Sequence, residues 1–173
     1  VGYTDAHWAG NATDCRSTSG YAFSLGSAAI AWSSKKQSTI ALFSTEAEYR
    51  GAVVTTYEAI WLKRLLKDLQ EEVFDPTTIY CDNLSSIQLA QNPVFHARTK
   101  HIEVHYHFVH KCVLSGEVEL QYIPTDRQTV DIFTKPLGLD KLRQFSGALG
   151  LCHLDVPNLR GRDVRDVQND HTR

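Results

Sequence analysis

The spacing of apolar residues divides the first part of the chain into strands followed by a long helix. Apolar and polar residues alternate at 1–8, 19–25 and 29–34, and Gly26-Ser27 suits a turn between the last two segments. A short apolar segment follows at 39–43. This alternation predicts one strand followed by an antiparallel meander.

From residue 45 to about residue 69 the apolar residues recur at the spacing of an amphipathic helix. The residues at this spacing are Tyr49, Val53, Ile60, Leu62, Leu65, Leu66 and Leu69. Ser44 or Thr45 would cap the start of this helix. Trp61, inside the helix, is expected in the core with Trp8 and Trp32.

In the rest of the chain, short segments with the apolar spacing of a strand alternate with short segments that have the apolar spacing of a helix. Strands are predicted at 78–81 and 118–123, and helices at 84–90, 103–114, 128–135 and 139–149. The order predicts an α/β fold in which helices flank a mixed sheet. Residues 1–151 are expected to form one domain. The charged, aperiodic tail at 152–173 is expected to be disordered.

Composition narrows the class of protein. The 173 residues are 42% hydrophobic and 22% charged, which is typical of a soluble globular domain. Neither a membrane-spanning run nor a signal peptide is predicted. The chain has no Met and opens on a strand-like segment, so we interpret it as part of a longer product. Its net charge of -2 argues mildly against a non-specific nucleic-acid binder. The four widely spaced cysteines favour reduced thiols in an intracellular protein.

Four carboxylates stand where such a sheet would bring them together. Asp5 lies at the end of the first strand, Glu48 in the first turn of the long helix, Asp82 after the next strand, and Asp131 at the start of a short helix. Strand ends and helix starts at one sheet edge are where ligand sites form. Carboxylates suit Mg²⁺, and two ions about 4 Å apart could clamp the attacking water and the leaving oxygen of an in-line displacement.

Each carboxylate also has a purely structural interpretation. Residues 45–48 match a capping box, so Glu48 could simply cap the helix. Asp131 could complement a helix dipole, and Asp82 could belong to a turn. Spacing alone leaves both interpretations open.

Seven short sequence motifs, or words, together indicate a resemblance to a known family. The words are YTDAHWAG at 3–10, RSTSGY at 16–21, STEAEY at 44–49, YCDN at 80–83, NPVFH at 92–96, RTKHI at 98–102 and DIFTKPL at 131–137. In these words and their order, residues 1–151 resemble the ribonuclease H domain of copia-type retrotransposon polyproteins.

The resemblance implies a ribonuclease H-like fold with a five-stranded mixed sheet. It also implies an endoribonuclease that cuts the RNA strand of RNA–DNA hybrids by a two-metal-ion mechanism. Asp5, Glu48, Asp82 and Asp131 would be both the catalytic residues and the ligands of Mg²⁺, or of Mn²⁺, with Glu46 as the competing glutamate. The implied partners are the hybrid and the reverse transcriptase domain of the same polyprotein. The implied location is the cytoplasm, within virus-like particles of the parent element.

Two groups of residues are expected to contact nucleic acid. The wide minor groove of a hybrid displays 2′-hydroxyls, which small polar residues and backbone amides can recognise. The candidates for this contact are Ser17, Thr18, Ser19, Gly20 and Asn83. A basic segment around Arg98 and Lys100 is expected to contact phosphate. A solvated helix, or a zinc site at His101 and His105, is the alternative for that segment. Trp8 could lie near the hybrid instead of in the core.

Some positions depart from the family pattern. His7 stands where relatives commonly have a second Asp, and Gly51 replaces a usual alanine, which weakens a helix by up to ~1 kcal/mol. The loop at 125–129 lacks the histidine of many cellular ribonucleases H. The alternatives to an active nuclease are a catalytically silent remnant or a domesticated binding domain of the same fold. An integrase-like nuclease is a further rival, but it would not carry these words.

Overall fold

The computed structural model describes residues 1–10, 13–92 and 103–151. Two predicted phosphate-contacting residues, Arg98 and Lys100, lie outside the described residues, as do His101 and the predicted tail at 152–173. The prediction of a disordered tail therefore stays a prediction. No helix in the described part of the chain combines the length and the apolar character that crossing a membrane requires.

Five strands form one mixed sheet in the order β3-β2-β1-β4-β5. The strands are β1 Gly2–His7, β2 Thr18–Leu25, β3 Ala28–Lys36, β4 Thr77–Cys81 and β5 Val118–Tyr122. The first three pair antiparallel, whereas β4 runs parallel to both β1 and β5. The predicted five-stranded mixed sheet is confirmed.

In the described residues, five helices accompany the sheet, together with a 3₁₀ turn at Thr125–Arg127. The helices are α1 Ser44–Asp68, α2 Leu84–Gln91, α3 Glu103–Leu114, α4 Asp131–Thr134 and α5 Leu139–Ala148. The long helix α1 packs on β1 and β2, and α4 packs on the other side of the same strands. We call these the α1 side and the α4 side of the sheet.

The main core lies on the α1 side. Phe23, Tyr49 and Ile79 are almost fully buried in one cluster, which continues to α2, α3 and β5. A smaller cluster of Ala22, Val130 and Leu149 lies on the α4 side. Burial of the larger cluster is the main hydrophobic contribution to folding.

The predicted strand segment at 39–43 is wrong. The structure has an irregular loop there, with Ala41 buried and Ile40, Leu42 and Phe43 exposed. β3 is an edge strand that ends at Lys36, and the chain turns away toward α1 without pairing. Apolar composition favours a strand only where a neighbouring strand supplies hydrogen-bond partners.

The predicted cap of the long helix is also wrong. Phe43 occupies the N-cap position, and no side chain caps the helix there. Because the helix begins earlier than the capping-box interpretation requires, Glu48 is not available as a cap. The carboxylate of Glu46 instead accepts a hydrogen bond from the Leu42 amide at 2.8 Å.

The three tryptophans are not core residues. Trp8, Trp32 and Trp61 are 47%, 57% and 54% exposed. Trp32 lies on an edge strand, and Trp61 follows Ile60 along α1, about 100° around the helix from that buried position. The indole of Trp8 donates to the Ala41 carbonyl at 3.0 Å, which anchors the loop before α1.

The predicted helix at 128–135 is shorter than expected. Only Asp131–Thr134 is helical, and the preceding 3₁₀ turn ends at Arg127. Gln128, between the two, is fully buried and donates to the Thr4 carbonyl at 2.9 Å. This long-range bond holds the segment before α4 against β1.

Candidate active site

Asp5 is a fully buried carboxylate in the middle strand of the sheet. Its Oδ2 accepts a hydrogen bond from the Thr134 hydroxyl, and its Oδ1 lies 3.1 Å from the Lys135 ammonium. Both partners come from the α4 segment, so Asp5 points to the α4 side. A carboxylate without water needs such partners, because an unpaired buried charge is very costly.

Asp131 reaches this point because α4 packs closely on β2. A Cβ built at Gly20 would lie 2.8 Å from Thr134 Cγ2 and 3.1 Å from Phe133 Cβ, so only glycine leaves room for the helix. Asp131 is 3% exposed, and its Oδ1 lies 2.8 Å from the Lys135 ammonium. One lysine therefore bridges Asp5 and Asp131.

Glu48 approaches from the α1 side. It is 7% exposed, and its Oε2 accepts a hydrogen bond from the Ala6 amide at 3.0 Å. Burial, followed by the negative charges of Asp5 and Asp82, raises the pKa of Glu48 to about 9. A divalent cation would relieve this repulsion, as expected of carboxylates placed to share a metal.

Asp82 directly follows β4 and is partly buried. Its Oδ2 accepts a hydrogen bond from the Thr125 hydroxyl at 2.8 Å. One ligand atom each from Glu48, Cys81 and Asp82 lies within 4.8 Å of the others. Burial, followed by the charge of Glu48, raises the pKa of the Cys81 thiol, so it keeps its proton, and Mg²⁺ prefers oxygen ligands in any case.

The structure separates the two competing glutamates. Glu46 Oε1 forms an ion pair with Arg50 at 2.6 Å, and its Oε2 accepts from the Leu42 amide. Glu46 thus holds the start of α1 together, whereas Glu48 lies close enough to Asp5 and Asp82 to feel their charges. This geometry favours Glu48 as the metal ligand.

The predicted groove-contacting residues have internal contacts. Ser17 is buried and accepts a hydrogen bond from the Ala9 amide at 3.2 Å, and the Ser19 hydroxyl accepts from Gln37 at 2.7 Å. Gly20 is covered by α4, as described above. Partly exposed Asn83 caps α2, because its Oδ1 accepts from the Ser86 amide at 2.9 Å.

The fifth residue of this group, Thr18, is partly exposed where β2 begins, opposite His7 in the β1 register. Thr18 and its neighbour Ser19 are both partly exposed, so the start of β2 is accessible to a ligand. Direct contact between this surface and nucleic acid stays a prediction.

Sequence reasoning missed Lys135 and Thr134. Burial acts to lower the pKa of Lys135, but its contacts with Asp131 and Asp5 outweigh that effect and raise it. For Asp131 the effect of burial is the opposite: burial raises its pKa, and the hydrogen bond from Lys135 acts against this shift. The available signal was the four-residue spacing of Asp131 and Lys135 inside one sequence word.

The chain is similar over most of its length to part of much longer proteins. It is 44% identical over 163 residues, 94% of the chain, to the Retrovirus-related Pol polyprotein from transposon RE2 of Arabidopsis thaliana. It is 40% identical over 153 residues, 87% of the chain, to that from transposon TNT 1-94 of Nicotiana tabacum. The chain spans 11% of the length of each of these polyproteins. No family profile matches the chain.

Solved structures share the fold at low identity. LC11-RNase H1, in a crystal with an RNA/DNA hybrid, superposes with a TM-score of 0.55 and 12% identity over 77% of this chain and 91% of that one. The chain has the ribonuclease H fold and matches a segment of copia-type Pol polyproteins. The N-terminal RNase H domain of a Mycobacterium tuberculosis protein agrees, with a TM-score of 0.53 and 13% identity over 84% of this chain and 95% of that one. The recognised resemblance and the ribonuclease H-like fold are therefore confirmed.

Proposed function

We propose that this ribonuclease H-like domain is a metal-dependent endoribonuclease that cuts the RNA strand of RNA–DNA hybrids. One observation carries the proposal. Asp5, Glu48, Asp82 and Asp131 come from four distant parts of the chain and lie close enough together for their charges to interact. Bringing several negative charges together in a partly buried place lowers the stability of the fold. Carboxylates whose pKa is shifted in this way are typical of functional sites.

The donor set fits magnesium. Carboxylate oxygens are the ligands that Mg²⁺ and Mn²⁺ prefer, and the excess negative charge around Glu48 calls for a cation. Asp5, Glu48, Asp82 and Asp131 would hold the ions. When bound, two such ions supply an activated water and stabilise the oxygen that leaves the phosphorus.

The chain's own residues set the position of these carboxylates. The Ala6 amide holds Glu48, the Thr134 hydroxyl holds Asp5, and the Thr125 hydroxyl holds Asp82. Partners of this kind keep metal ligands in the geometry that the reaction needs. The surface of Thr18, Ser19 and Asn83 would receive the sugar edge of the hybrid, where 2′-hydroxyls distinguish RNA from DNA.

The polyprotein relatives support a wider proposal about context. The chain would act beside a reverse transcriptase domain of the same polyprotein and remove RNA from newly made hybrids. It would work in the cytoplasm, inside virus-like particles of the parent element. The similarity to a Pol segment supports this setting.

A gel assay tests the proposal. Hybrids labelled on the RNA strand, and separately on the DNA strand, are incubated with the 173-residue chain and Mg²⁺, Mn²⁺ or EDTA. We expect metal-dependent cleavage of the RNA strand. We expect no cleavage of the DNA strand of the hybrid and no cleavage of a DNA duplex. Hybrid binding without cleavage in either metal would instead favour the silent or domesticated domain.

A further inference from the structure

Lys135 places a cation inside the carboxylate cluster. Its ammonium group lies 3.1 Å from Asp5 Oδ1 and 2.8 Å from Asp131 Oδ1. The side chains of Asp5 and Asp131 are 0% and 4% exposed, whereas that of Lys135 is 27% exposed. The lysine thus reaches from the surface into a pair of nearly buried carboxylates.

The backbone of Lys135 is held while its side chain extends. The residue follows α4 in an extended conformation, and its amide donates to the Asp131 carbonyl at 2.9 Å. Four methylene groups separate this anchor from the ammonium group. The charge can therefore leave the two carboxylates by side-chain rotation without a change in α4.

A metal ion on the same two carboxylates would compete with the lysine. Both contacted oxygens already accept from the ammonium group, and Asp5 Oδ2 accepts from Thr134. Two cations at hydrogen-bond distance from shared ligands repel each other strongly in a partly buried site. The hydrogen bonds described for the other two carboxylates run elsewhere: Glu48 accepts from the Ala6 amide, and Asp82 accepts from the Thr125 hydroxyl.

We propose that Lys135 is a built-in counter-cation that occupies the Asp5–Asp131 half of the cluster until a divalent ion displaces its ammonium group. The inference rests on the proposed function, because it takes the cluster to be a metal site. An ion between Glu48 and Asp82 can bind without moving Lys135. An ion that binds Asp131 through Oδ1, the oxygen that Lys135 contacts, must displace the ammonium group, so the two positions should fill with different affinities.

Manganese binding tests this inference directly. Metal-free samples of the full 173-residue chain are titrated with Mn²⁺, and free Mn²⁺ is followed by electron paramagnetic resonance. Lys135→Met should tighten the weaker of two binding steps by roughly tenfold or more, while Lys135→Arg should stay near wild type. Lys36→Met is the matched control, since Lys36 pairs with Asp14 at 3.0 Å on the exposed surface.

Thermal melting supplies a second readout. In EDTA, Lys135→Met should melt below wild type because Asp5 and Asp131 lose the cation that they share. Saturating Mn²⁺ should close this gap, and the shift on adding Mn²⁺ should exceed that of wild type and of Lys36→Met. If Lys135→Met does not fold without metal, Lys135→Gln, which retains hydrogen-bond donors, is titrated in its place.

An unchanged or weakened second binding step in the folded variant would overturn the inference. That result would leave the proposed function standing if wild type still binds Mn²⁺ and cleaves the hybrid. Tighter Mn²⁺ binding by Lys135→Met, in a chain whose wild type never cuts a hybrid, would support the counter-cation and reject the nuclease.

Discussion

The two sides of the sheet are covered by different kinds of residue. On the α1 side, Phe23, Tyr49 and Ile79 belong to one large apolar cluster that includes α2 and α3. On the α4 side the apolar cluster is small, and the fully buried carboxylate of Asp5 lies beside Lys135. The comparison indicates that the α1 side supplies most of the hydrophobic stability, which lets the α4 side hold like charges that oppose folding.

The largest expected effect is on activity, in the carboxylate cluster that α1 and α4 approach from opposite sides of the sheet. Asp82→Asn should lower the hybrid-cleavage rate by roughly a hundredfold or more, because the proposed metal ions would lose a charged ligand. The amide oxygen of Asn can still accept from Thr125, so the melting temperature should change little. Single-turnover cleavage and thermal melting measure the two effects. A near wild-type rate would remove Asp82 from the site.

The next effect is on stability, on the α1 side. Ile79→Ala should lower the free energy of unfolding by about 2–5 kcal/mol, since Ile79 is fully buried and its removal leaves a cavity. Ile30→Ala, at a position 45% exposed on an edge strand, is the matched control and should change stability by about 0.5 kcal/mol or less. Urea denaturation measures both. Equal effects would show that the apolar cluster is not the stabilising side.

Two glutamates two residues apart on α1 should respond in opposite ways. Glu48→Gln should abolish most cleavage, while Glu46→Gln should leave cleavage nearly intact. Glu46→Gln should instead destabilise the chain by about 1–3 kcal/mol, because it weakens the partly buried ion pair with Arg50. Cleavage assays and urea denaturation on both variants test this. An inactive Glu46→Gln variant with an active Glu48→Gln variant would reverse the assignment.

The metal-free stability should also depend on pH through Glu48. Its pKa is raised from 4.5 to about 9 by burial and by Asp5 and Asp82, so the folded chain keeps a proton that the unfolded chain loses. Stability therefore falls as pH rises from about 4.5 towards 9. In EDTA, Glu48→Gln should gain stability relative to wild type across this range, and the two should differ least below it. A constant difference would mean that Glu48 is ionised throughout.

The smallest effect is expected where α1 touches β1. A Cβ at Gly51 would lie 3.3 Å from Thr4 Oγ1 and 3.4 Å from the Asp5 carbonyl oxygen. Thr4 Oγ1 accepts a hydrogen bond from Thr55, which limits its freedom to move away. In Gly51→Ala the gain of up to ~1 kcal/mol in helix propensity should be largely offset by this crowding. A melting temperature several degrees above wild type would show that β1 gives way easily.

Local pattern predicted the regular elements well. The helix expected at 103–114 is observed as Glu103–Leu114, and the strand expected at 78–81 as Thr77–Cys81. The mixed sheet followed from the order of these elements. Such elements are predictable because their periodicity reflects burial of one face, which is written in consecutive residues.

Positions that depend on a distant neighbour were mispredicted. The segment at 39–43 has the composition of a strand but no partner, and three tryptophans that look like core residues lie largely exposed. The start of α1 was misplaced because the Glu46 carboxylate, not a Ser or Thr side chain, binds the Leu42 amide. Each error concerns what a residue packs against, which no local window contains.

The sequence by itself determined the family resemblance, the order of the elements, and the placement of Asp82 after a strand and of Asp131 at a helix start, whereas Asp5 lies inside β1 and Glu48 lies beyond the first turn of α1. Only the tertiary structure decided that Glu48, not Glu46, approaches Asp5 and Asp82, and that Lys135 bridges Asp5 and Asp131. The reason is physical. Periodicity records which face of an element avoids water, whereas charge pairing across 130 residues depends on how closely α4 packs on β2 over Gly20.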